Sequence, residues 1–124
     1  MEDEKFSRYE RLKTIVKEVE DSGYINRSVK WYDEHYSILE EYRLNFVNFS
    51  YVDIQISTKE FRDKASLVEN LLSSLMNDYQ KHRWFGLYDY IRLNQALIWL
   101  ADYALEFNKK EETDLSLMFG NLTV

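Results

Sequence analysis

Apolar residues recur at spacings of three and four through most of this chain, the period of a helix with one buried face. In the first stretch Tyr9, Leu12, Val16 and Val19 form the stripe, widened by Phe6 and Ile15, which predicts a helix over residues 3–21. Glu2, Asp3 and Glu4 stand where the helix dipole favours negative charge, and Gly23 follows as a left-handed C-terminal cap. A second helix is predicted over 28–47, with Asn26 or Ser28 as N-cap. Its arc carries Val29, Tyr32, Tyr36, Leu39 and Phe46, joined by Trp31, Ile38 and Tyr42, with His35 inside it and Leu44 on the polar side.

The rhythm changes at 49–56, where Val52, Ile54 and Ile56 alternate with polar residues. Alternation of β-branched residues predicts a short β excursion or an extended linker packed on the helices. Ser57, Thr58, Lys59 and Glu60 then read as a capping box in which Ser57 and Glu60 satisfy each other's free N–H groups. The third helix follows with Phe61, Ala65, Val68, Leu71, Leu72, Leu75, Met76 and Tyr79 on one face, ending near Gly86. The fourth, over 89–108, is apolar around more than half its circumference, from Ile91 and Leu93 through Leu97, Leu100 and Ala104 to Phe107. So wide an arc requires several neighbours and places this helix centrally. Within it Asn94 reads as a buried hydrogen-bonding residue that fixes packing register. Asp102, at the edge of the polar strip, reads as the partner of Arg92 or of a basic residue on another helix.

The remaining residues, 109–114, read as a charged linker or helix end. Residues 114–124 are apolar for a terminus, with Leu115, Leu117, Met118, Phe119, Leu122 and Val124. The expected organisation is therefore a helical bundle over 1–113 and a C-terminal segment, 114–124, packing back on it or on a partner. Composition agrees: there is no proline to break a helix and only three glycines, Gly23, Gly86 and Gly120. The fold expected is all-α, a single up-down bundle of four main helices. At 124 residues the chain suits one domain.

Charge and residue inventory narrow the function classes. Twenty-two acidic against sixteen basic residues give a net charge of −6, which disfavours non-specific nucleic-acid binding, a process driven by cations neutralising phosphates. Without cysteine there is neither a disulfide framework nor thiolate chemistry. The longest apolar run, 96–101, is too short for a membrane span, and acidic residues stand where a basic leader would begin, so the cytoplasm is the expected location. The residues three before His35 and His82 are Tyr32 and Tyr79, so the Glu-x-x-His pattern of two-metal bundles is absent. Asp78 and His82, four apart, lack further ligands. No nucleophile elbow or glycine-rich phosphate loop occurs, and Glu40 and Glu41 are adjacent, pointing to different sides of a helix. No catalytic group, metal or cofactor is expected.

The aromatic supply is large: ten Tyr, seven Phe and three Trp. Most are expected in the core, with hydroxyls at its edge. One cluster stands apart, the segment 80–92, where Lys81, Arg83 and Arg92 alternate with Trp84, Phe85, Tyr88 and Tyr90. It reads either as an inter-helix corner stapled by its own rings or as a partner-binding surface. The candidate partner-binding residues are Lys81, Arg83, Trp84, Phe85, Tyr88 and Arg92, with Leu117 and Phe119 from the C-terminal segment. The function expected is that of a small acidic interaction module, of inhibitor or immunity type, occupying a larger protein partner. Two alternatives are a helical subunit of a nucleic-acid-handling assembly using Lys81, Arg83, Trp84 and Arg92, and a structural protein self-assembling through 114–124.

Overall fold

A computed structural model describes the backbone of residues 2–24, 27–46 and 58–122, and the side-chain surroundings of 7–24, 27–46 and 58–107. Four helices follow in order: α1 (Glu2–Ser22), α2 (Val29–Phe46), α3 (Lys59–His82) and α4 (Leu87–Leu122). The expected excursion at 49–56 lies outside the described residues.

Each helix buries the stripe that its sequence lays out. Tyr9, Leu12, Val16 and Val19 of α1 are buried, as are Tyr32, His35, Leu39 and Tyr42 of α2. On α3 the buried set runs Phe61, Val68, Leu71, Leu72, Leu75, Met76 and Tyr79. On α4 it runs from Tyr90 through Leu93, Leu97 and Leu100 to Ala104. Val29 departs from its arc: it is the first residue of α2 and is exposed, because no turn precedes it to carry the stripe into the core.

Side-chain pairs give the directions. Lys13 of α1 meets Asp102 of α4 at 2.6 Å, while Tyr24, just past α1, meets Tyr90 ring to ring at 5.9 Å. These helices therefore run antiparallel. Lys64 lies over the Trp99 ring at 5.2 Å, and α3 joins α4 through a tight corner, so that pair is antiparallel too. Tyr36 stacks on Tyr79 at 4.1 Å, setting the start of α2 against the end of α3. The result is an up-down-up-down bundle in which α4 packs chiefly on α1 and α3, the central place its wide apolar arc predicts.

The helix ends follow local chemistry. Gly23 takes φ 81° and its N–H donates to the carbonyls of Val19 and Glu20, both at 3.2 Å, as a left-handed cap requires. Ser28 caps α2, its hydroxyl accepting from the Trp31 N–H at 3.2 Å. At the start of α3 the cap is Thr58 rather than Ser57: its extended backbone (φ −83°, ψ 163°) lets its hydroxyl accept from the Phe61 N–H at 3.1 Å. The end of α3 also differs from expectation. It stops at His82, and Arg83 takes the left-handed position (φ 58°) with its N–H donating to the Tyr79 carbonyl at 2.7 Å. Gly86 instead precedes α4, its carbonyl accepting from the Tyr90 N–H at 3.1 Å.

The largest revision concerns the C-terminus. The helical backbone of α4 continues without a break through 109–114 and on to Leu122. Lys109, Lys110, Glu111 and Glu112 are good helix formers, so their charge does not make a linker.

Candidate functional site: an aromatic corner on a buried polar core

The end of the bundle where α3 turns into α4 concentrates the sequence's aromatic residues, and it sorts them into two layers. The inner layer is closed. Phe85 is fully buried, wedged edge-on against Tyr32 and Tyr90 with ring centroids 5.1 Å away in both cases. Trp31 stacks on His35 at 3.9 Å and 17° and meets Tyr90 edge-on at 6.0 Å. Phe85 is therefore removed from the candidate partner-binding residues: next to exposed Trp84, it turns inward to plug the gap between α2 and α4.

The outer layer is open. Trp84 is 52% exposed and Tyr88 75%; Val29, at the same end of the bundle, is 70% exposed. Among the described residues the remaining large apolar side chain so exposed is Leu44, near the far end of α2. Lys81, Arg83 and Arg92 are also exposed, so five of the predicted residues share the surface of one corner. Arg92 lies over the Tyr88 ring at 5.7 Å and pairs with Asp89 at 3.3 Å. Arg83 donates to the Tyr79 hydroxyl at 3.0 Å and stands 3.7 Å from Asp33. Tyr79 donates in turn to Asp33, and that carboxylate holds the Tyr79 proton above its ordinary affinity. Gln80 donates to the Tyr36 hydroxyl at 2.9 Å. Two of the corner's three cations thus already face a carboxylate. The side chains of Leu117 and Phe119 lie outside the described surroundings.

Beneath the corner runs a buried polar network. Tyr42 donates to Asn94 Oδ1 at 2.9 Å, and the Asn94 amide donates to the Tyr24 hydroxyl at 2.9 Å. The Tyr90 hydroxyl lies 2.7 Å from His35 Nδ1. Burial raises the Tyr42 and Tyr90 hydroxyls far above the ordinary tyrosine value. It lowers His35, against a smaller opposite pull from Glu34. Asn94 is thus the buried hydrogen-bonding residue its position on α4 predicts, with its polar atoms paired as a fully buried amide requires. His35 was visible in the sequence as the polar residue of an apolar arc, but its partner, 55 positions away, was not.

The other candidates resolve as structure. Asp102 pairs with Lys13 on α1, and Glu41 faces Arg11 at 3.6 Å. Among the described residues no group of three or more His, Asp or Glu side chains is placed to hold a metal ion, and no helix is long and apolar enough to cross a membrane. No protein-family model, curated protein or solved structure matches the chain.

Proposed function

We propose that this protein is a non-enzymatic interaction module, of inhibitor or immunity type, that docks on a larger protein partner through the α3–α4 corner. The observation that carries the reading is the exposure of Trp84 and Tyr88 beside Arg83 and Arg92, on a base of buried rings. Trp, Tyr and Arg are the residue types that dominate binding hot spots. The pairing of Arg83 with Asp33 and of Arg92 with Asp89 favours a polypeptide over a nucleic acid. A polyphosphate gains most from cations whose charge is not already answered.

The test is affinity capture from cells that express the protein, with nuclease, comparing three forms: wild type, Trp84→Ala/Tyr88→Ala, and Leu44→Ala as an equally exposed control at the other end. Capture of one stoichiometric protein by the wild type and the Leu44 variant, and its loss from the double variant, is the expected result. Equal capture by all three, or capture that vanishes with nuclease, rejects the reading.

A second reading, self-association through the last turns of α4, is favoured by length. With Lys13 opposite Asp102 and 1.5 Å per residue on both helices, the first residue of α1 comes level with roughly residue 113 of α4. The helix then continues to Leu122, past the end of α1. Sedimentation of the full chain against residues 1–113 separates the two readings: an oligomer that collapses on truncation supports self-association, and an unchanged mass rejects it.

A further inference from the structure

His35 is the one buried side chain among those described that titrates near neutral pH in its ordinary state, and its surroundings allow one protonation state better than the other. Two donors of the network beside it are already committed. Tyr42 gives its proton to Asn94 Oδ1, and Asn94 gives an amide proton to Tyr24. The Tyr90 hydroxyl lies 2.7 Å from His35 Nδ1, and with Tyr90 as the donor the neutral ring carries its proton on Nε2. A proton added at Nδ1 would oblige the hydroxyl to turn from donor to acceptor and would leave its own proton without the acceptor it had. It would also place a charge among the rings of Trp31 and Tyr90, 3.9 and 5.6 Å from the imidazole.

We infer that the His35–Tyr90 contact is an acid-sensitive latch. With Nδ1 bare, it ties the first turns of α2 to α4 beneath the corner. With Nδ1 protonated, the Tyr90 hydroxyl must turn from donor to acceptor and a charge enters a buried site, so the tie weakens and the end of the bundle that carries Phe85, Trp84 and Tyr88 loosens. The inference goes beyond the proposed docking function and stands whether or not the corner binds a partner.

The charges around the latch leave its sign unchanged. On α2, Glu34 favours the protonated form, but its pull is smaller than the cost of burial. Asp33 is engaged by Tyr79 and Arg83 of the α3 end. On α4, Asp89 is engaged by Arg92. From the end of α1, Glu20 acts on the hydroxyls of Tyr24 and Tyr42, and Tyr24 touches the far edge of Tyr90. Stacked Trp31 offers a π face to a cation, a pull in the same direction as that of Glu34 and opposed to burial. The folded state therefore holds His35 neutral below the pH at which an open state takes up the proton. Opening binds a proton, so the latch is intact above about pH 6.5 and weakens as pH falls from there toward the folded-state value.

The experiment follows both imidazoles, His35 and His82, by NMR on the full chain between pH 8 and 5, together with amide hydrogen-exchange protection factors. His35 is expected to titrate below about 6.5. Protection at residues 31–36 and 85–94 should fall by up to roughly tenfold per pH unit as it does, while residues 68–76 of α3 hold theirs. In His35→Asn, which keeps a short polar side chain without a titrating ring, protection at the same amides should be flat over this range. In Tyr90→Phe, which keeps the imidazole and deletes the hydroxyl, the titration should move to higher pH. Titration of His35 at or above about 6.5, unchanged protection in the wild type, the same acid loss in His35→Asn, or an unmoved titration in Tyr90→Phe each overturns the latch.

Discussion

Replacing Asn94 by Leu gives the sharpest test of the buried polar network, because the two side chains have nearly the same shape and differ in their polar atoms. Asn94 is fully inaccessible and bridges Tyr42, equally inaccessible, to Tyr24 at the edge. The variant strands the Tyr42 hydroxyl, which costs about 1–3 kcal/mol when no partner replaces the lost one. It also deletes the bond to Tyr24, whose hydroxyl recovers part of its loss from solvent, adding about 0.5–1 kcal/mol. The expected destabilisation is therefore about 1.5–4 kcal/mol, a large share of the ~5–15 kcal/mol typical of a domain. With an unfolding entropy near 2 cal/mol/K per residue, a domain of this size loses about 4 °C of Tm per kcal/mol, so Tm falls by roughly 6–16 °C. Tyr42→Phe alone leaves the Asn94 carbonyl without its main donor and should cost about 1–2 kcal/mol. The informative quantity is the double variant. Tyr42→Phe with Asn94→Leu removes donor and acceptor together, so its cost should fall short of the summed singles by about 1 kcal/mol or more. Urea unfolding followed by far-UV circular dichroism, which reads an all-helical chain directly, supplies all three values. An Asn94→Leu variant within about 0.5 kcal/mol of wild type, or strict additivity of the pair, would refute the account of a closed network.

Arg83 occupies a backbone conformation that costs a side-chain-bearing residue energy and glycine almost none. Arg83→Gly should therefore melt higher than Arg83→Ala, by roughly 3 °C or more, since both delete the contacts to Tyr79 and Asp33 and the backbone is what separates them; equal melting temperatures would show that the left-handed cap is not held in solution. Thr58→Ala, which removes the hydroxyl that accepts from the Phe61 N–H, should lower stability by about 0.5–2 kcal/mol in urea unfolding, with Ser57→Ala near neutral. The opposite order would restore the capping box one residue earlier.

How far these features were legible depends on the range of the physics behind them. Stripes such as Tyr9, Leu12, Val16 and Val19 arise from helical period alone, and the sequence displays them directly. Asn94 and Asp102 were legible as to role, because a polar residue in or beside an apolar arc must find a partner, although the partners lie 52–70 and 89 positions away along the chain. The choice between Ser57 and Thr58 was not legible, since two adjacent hydroxyls compete and backbone ψ decides between them. Glycine misplaced the end of α3: the signal at Gly86 is genuine, but Arg83 brings its own compensation in Tyr79 and Asp33. At the corner itself no period governs a four-residue link. The inward turn of Phe85 and the outward turns of Trp84 and Tyr88 are set by the gap that Tyr32, Trp31 and Tyr90 leave.

That sorting bears on what the corner can do. Trp84 sits between Arg83, whose guanidinium faces Asp33 of α2 at 3.7 Å, and Phe85, whose ring is buried in the core, so both of its chain neighbours are engaged by the bundle. Tyr88 lies in the first turn of α4, two residues from Tyr90, which the core holds fully buried. A partner docking here orders side-chain rotamers, at about 0.5–1.5 kcal/mol each, rather than a loop. Exposed rings on a fixed base are what a hot spot requires. The base, however, contains the one buried imidazole of the bundle. The interactions that make the corner rigid at neutral pH are therefore the same ones that acid would relax, and a partner bound through Trp84 and Tyr88 would be held more weakly as His35 takes up its proton.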